Sequence, residues 1–80
     1  MTEGPQVSLY VRGNCVAAVG PGGVANQGST GLMTGDGLAF LVWREGVAML
    51  AGKHGETAAT GEQVQEILKF TEDLKAALQS

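Results

Sequence analysis

Cysteine is nearly absent from this chain. The single copy, Cys15, excludes an internal disulfide and suits a reducing compartment. Basic residues are also few: Arg12, Arg44, Lys53, Lys69 and Lys75 stand against eight acidic residues, for a net charge of −3. No two of them adjoin, so the sequence offers no basic stripe to neutralise phosphates, and nucleic acid is not an expected partner. Long apolar runs are missing too. None approaches the roughly 20 residues of a membrane span, and the leading MTEGPQ is polar and acidic with no apolar stretch behind it, unlike a signal peptide. These absences predict a cytoplasmic protein with no membrane partner.

The chain's 80 residues make one domain, read here as residues 1–80 with a lead-in over 1–5. A domain this small buries only about 60% of its unfolded surface, so its core is marginal. Disulfides, a metal or oligomerisation are the usual remedies. No metal-ligand spacing is formed by Cys15, Asp36, His54 and Glu56, so neither metal nor cofactor is expected. Oligomerisation is left.

What the sequence does contain is organised around Leu38–Lys53, LAFLVWREGVAMLAGK, its densest apolar stretch. It reads as a β-hairpin: strand 38–44, a turn at Glu45-Gly46, strand 47–53. Two turn geometries remain open. In a two-residue turn Glu45 must take positive φ; a type I turn with a bulge at Gly46 would shift the register and swap the faces of the second strand. An earlier segment, QVSLYVR (6–12), alternates apolar and polar residues, and Gly13-Asn14 suits a type II′ turn before the returning CVAAV (15–19). One side of that hairpin carries Val7, Leu9, Val11, Val16 and Ala18. The two hairpins share a pattern at an offset of 32 residues, with Leu9, Arg12, Gly20 and Gly23 matching Leu41, Arg44, Gly52 and Gly55. That is a weak signal of duplication, since hairpins resemble one another.

Between the hairpins, residues 20–37 hold seven of the thirteen glycines and read as a long loop, with a short strand possible at 31–34. Loops of that length in compact domains are functional or slack. Residues 54–60 read as a connector. Thr60-Gly61-Glu62-Gln63 then fits a capping box, and an amphipathic helix over 61–79 follows, with Val64, Ile67, Leu68, Phe70, Leu74, Ala77 and Leu78 on one arc. The expected fold is α+β: an antiparallel sheet of two hairpins, with this helix packed on one face.

Few residues invite chemistry. Gly23–Thr30 spells GxxxxG followed by Ser-Thr, a phosphate loop without its lysine. Its glycine amides could still form an anion-binding nest, which makes Gly23, Gly28, Ser29 and Thr30 the ligand-binding candidates. Cys15 and His54 could pair as nucleophile and base, but a cysteine in an apolar strand is ordinarily a small buried hydrophobe, and no catalytic residue is assigned. Trp43 and Phe40 read as core or interface rather than as a stacking platform.

The hairpin 38–53 is apolar on both sides. In the two-residue-turn register Ala39, Leu41, Trp43, Ala48 and Leu50 share one side, expected to face the helix along with the apolar side of hairpin 6–19. Phe40, Val42, Val47, Met49 and Ala51 share the other and are left for a partner. The expectation is a non-catalytic, homo-oligomeric interaction module, a homodimer or a higher homo-oligomer, with those five residues in its interface. The alternative is a small-molecule or anion binder that uses loop 20–37 over the sheet.

Overall fold

The structure is a computed structural model and describes residues 8–20 and 30–79. It is an α+β fold. Six strands, β1 (Ser8–Arg12), β2 (Cys15–Val19), β3 (Thr30–Thr34), β4 (Gly37–Arg44), β5 (Val47–Gly52) and β6 (Gly55–Ala58), precede one helix, α1 (Gly61–Gln79). The strands form a single sheet in chain order, every neighbouring pair antiparallel.

The expected pair of hairpins is thus enlarged by two strands. Residues 30–34, placed by sequence in the loop with a short strand possible at 31–34, form β3, which hydrogen-bonds to β2 on one side and β4 on the other. Residues 55–58, read as connector, form the edge strand β6 on β5. GETA was illegible as a strand because all four of its residues are exposed; its ladder to β5 holds it, and no apolar alternation marks it. Residues 21–29 of the Gly-rich loop lie outside the described residues.

Both turns expected from the sequence contain two residues. Gly13 adopts φ 61°, which an L side chain resists, and Arg12 pairs with Cys15. At the second turn Glu45 (φ 50°) and Gly46 (φ 79°) are both left-handed, and Arg44 pairs with Val47. Glu45 therefore accepts the strained conformation, and the register has no bulge. Gly31 meets a different constraint. A Cβ there would run into the Ala39 carbonyl oxygen and lie 2.8 Å from both Ala39 C and Phe40 Cα, so β3 and β4 approach as closely as they do only because residue 31 lacks a side chain.

The core lies between the sheet and α1, which crosses over β2 and β3. Cys15, Ala17, Val19, Leu32, Ala39, Leu41 and Leu50 meet Ile67, Phe70 and Leu74 there. Full burial of a residue such as Ile67 contributes about 1.5–3 kcal/mol. The helix opens on a reciprocal capping box: the Thr60 amide donates to Gln63 Oε1 (2.9 Å), and the Gln63 amide donates to Thr60 Oγ1 (3.1 Å). Thr71 is buried despite its hydroxyl, which donates to the Ile67 carbonyl at 2.8 Å.

One assignment of faces is reversed. Hairpin 6–19 was expected to turn Leu9, Val11, Val16 and Ala18 toward the helix, yet it turns Tyr10, Cys15, Ala17 and Val19 that way. The cause is β3. Gly31 pairs with both Val16 and Phe40, and directly paired residues share a side of the sheet, so the ladder fixes how the two hairpins face. Small side chains at Cys15 and Ala17 let α1 approach, with Cys15 Sγ 3.8 Å from the Glu66 carbonyl oxygen. Arg12 completes this side: its guanidinium stands 5.0 Å from the centre of the Phe70 ring and pairs with Asp73 at 2.9 Å.

Candidate interaction surface

The reversal gathers the apolar side chains that α1 does not cover onto one face. Its central row follows the ladder through Val11, Val16, Gly31, Phe40, Ala51 and Glu56. A second row runs from Val42 through Met49 to Ala58. Leu9 pairs with Ala18, Met33 with Leu38, and Arg44 with Val47, so these too share the face. Of the five large hydrophobic residues exposed among the described residues, four lie here, Leu9 (66%), Val11 (67%), Met33 (51%) and Val47 (53%). Exposed apolar residues scattered singly need no explanation, but a concentration on one side of a sheet does. The fifth, Trp43, pairs with Ala48 on the helix side of β4 and β5.

All five residues expected at an interface fall on this face. Val47 is exposed; Phe40, Val42, Met49 and Ala51 are half-buried. Reading the sequence missed Leu9, Val11, Met33 and Leu38. Alternation in 7–11 had marked Leu9 and Val11 as one apolar side, but nothing in the residues says which way that side turns until β3 joins the hairpins.

Among the described residues, one ion pair occupies the face. Arg44 on β4 reaches over β5 to Glu56 on β6: Arg44 Nε donates to both carboxylate oxygens (3.1 and 3.0 Å), and Nη2 donates to Oε2 at 2.6 Å. These hydrogen bonds hold the Glu56 carboxyl below the usual glutamate range and raise the guanidinium of Arg44 further. The arrangement is bidentate, the geometry in which Arg meets a carboxylate most specifically.

Gly23, Gly28 and Ser29 lie outside the described residues, and Thr30 is fully buried opposite Ala17. Cys15 is buried on β2; burial foremost, then the charge of Glu66, pushes its thiol pKa up. His54 is exposed in the turn after β5, three strand spacings from β2, roughly 14 Å at about 4.8 Å each. That separation rules out a nucleophile–base hydrogen bond. Among the described residues no three His, Cys, Asp or Glu side chains converge as a metal site would require, and no helix is long and apolar enough to cross a membrane.

No family model, curated protein or solved structure matches the chain.

Proposed function

We propose that this chain is a small, non-catalytic interaction module that works as a homodimer, two sheets stacked face to face. The carrying observation is the apolar face opposite α1, with Leu9, Val11, Met33 and Val47 each more than half exposed. Phe40, Val42, Val47, Met49 and Ala51 form the part contributed by β4 and β5.

Two properties favour a second copy as the occupant. The first is area. Six strands at about 4.8 Å, each offering about five residues at about 3.3 Å, present on the order of 400–500 Å² in projection and more as accessible surface. Two such faces together come within reach of the roughly 1,000 Å² that a specific interface buries. The second is charge. Arg44 and Glu56 are one cation and one anion on the same face, so a two-fold axis can set each against its opposite in the other copy.

Three of the four remaining basic side chains, Arg12, Lys69 and Lys75, are paired with carboxylates, which leaves only Lys53 without an ion pair among the described residues and supports a role without nucleic acid. A single buried thiol fits a cytoplasmic setting. Light scattering behind size exclusion tests the proposal. Twice the 8.2 kDa chain mass is expected at tens of micromolar, with Phe40→Asp and Met49→Asp returning the protein to monomer. A wild-type monomer, or a dimer that both variants leave intact, refutes it.

A further inference from the structure

A second concavity lies at the end of the sheet, on the helix side and away from the proposed dimer face. The turn joining β3 to β4 and the turn joining β5 to β6 stand side by side there. Between them is a pocket of about 100 Å³, lined in part by Asp36, Ala39, Leu50, Lys53, His54 and Thr57. Its floor is apolar, because Ala39 and Leu50 belong to the core. Gly52 keeps it open: a Cβ at that position would stand 3.3 Å from the Leu38 carbonyl oxygen and 3.6 Å from Ala39 Cβ.

The charges at its rim are unused. Of the five basic residues, four form ion pairs, and Lys53 forms none among the described residues. It stands at this pocket beside His54, the chain's one histidine. On the other turn Asp36 also lacks an ion-pair partner among the described residues. Its amide is tied to Thr34 Oγ1 (3.2 Å), and that hydroxyl donates to the Gly37 carbonyl (2.8 Å), so the turn carrying the carboxylate is braced from within. The pocket thus offers a cation with an imidazole on one lip, a carboxylate on the other and an aliphatic floor between. Its volume is well below the roughly 300–1,000 Å³ of pockets for drug-sized ligands, which limits the guest to a small metabolite.

We infer that this pocket binds a short aliphatic α-amino acid. The ligand carboxylate meets Lys53 and His54, its ammonium meets Asp36, and its side chain lies on Ala39 and Leu50. Both charges of a zwitterion are then answered, whereas a simple carboxylic acid or amine would leave one lip unanswered.

Titration of the isotope-labelled full chain with L-alanine, propionate and isopropylamine, followed by amide chemical shifts, tests this. With L-alanine, saturable shifts confined to residues 34–39 and 50–57 are expected. Propionate and isopropylamine should each bind at least about tenfold more weakly, a loss of one charged contact. Lys53→Met and Asp36→Asn should each weaken L-alanine by a similar factor while leaving the remaining spectrum unchanged. Absence of saturation by about 50 mM, a scale at which even weak millimolar binding saturates, overturns the inference. So do equal shifts with propionate, or shifts centred elsewhere.

Discussion

Replacing Gly31 by alanine should be among the most damaging single changes in this protein. Gly→Ala within a strand ordinarily stabilises by about 0.4–1 kcal/mol through the unfolded chain, provided the native backbone accepts the side chain. Here it does not. The new Cβ would run into the Ala39 carbonyl oxygen, and 2.8 Å contacts with Ala39 C and Phe40 Cα surround it. All three obstacles are backbone, so no rotamer change relieves them; β3 and β4 must separate. Overpacking costs roughly 1–3 kcal/mol, and each ladder hydrogen bond lost adds about 1 kcal/mol. Gly31 is paired on both sides, with Val16 and Phe40, so a loss of about 3–5 kcal/mol is expected. An 80-residue domain holds only about 4–12 kcal/mol in total. Urea unfolding followed by far-UV circular dichroism and by the fluorescence of Trp43 measures it. Gly61→Ala is the control, because nothing lies within 4 Å of its added Cβ and alanine is the better helix former; it should be neutral or stabilising. A Gly31→Ala unfolding free energy within about 1 kcal/mol of wild type, the ordinary effect of a point substitution, refutes the reasoning.

Other expectations follow from single contacts. Thr60→Ala removes the hydroxyl that accepts from the Gln63 amide and should cost about 1 kcal/mol; an unmoved urea midpoint would contradict that. Glu56 has its carboxyl pKa lowered by Arg44, so its stabilising effect is present above the ordinary glutamate range and is lost as pH falls through the lowered value. The melting-temperature difference between wild type and Glu56→Gln should therefore be largest near neutrality and close in acid; a difference that grows in acid would reverse the sign. Cys15 is buried, with its thiol pKa raised. Iodoacetamide should leave it unmodified in the folded protein and alkylate it in urea, and rapid native alkylation would contradict its placement.

The parts of the fold legible in the sequence are those written in local patterns. The helix announces itself through Thr60, Gln63 and an uninterrupted arc of apolar residues, and the chain reverses where Gly13-Asn14 and Glu45-Gly46 stand. The illegible parts depend on long-range pairing. Only Leu32 and Met33 hint at a strand in TGLMT among its glycine-rich surroundings; β3 is fixed by β2 and β4, which bond to it on both sides. Facing was hidden for the same reason. Alternation shows that Leu9 and Val11 share a side, but only the ladder through Gly31 places them beside Phe40 rather than beneath α1. Arg12 misleads in the opposite direction: a charged residue suggests an outward side, yet its guanidinium stands over the Phe70 ring. That Phe40, Val42, Val47, Met49 and Ala51 share one side was readable from the alternation within strands 38–44 and 47–53 once the turn between them holds two residues. The pocket between the 34–37 and 52–55 turns was not, because Asp36 and Lys53 are brought together only by the order of the strands.

The central claim is that the sheet face opposite α1 is buried against a second copy of the chain. Its most direct test mixes isotope-labelled and unlabelled protein and records only the nuclear Overhauser effects that pass between copies. The account predicts such contacts among Phe40, Val42, Val47 and Met49, extending to Leu9, Val11 and Met33 on the same face. Contacts confined to the outer surface of α1, or none in a sample at millimolar concentration, would contradict it.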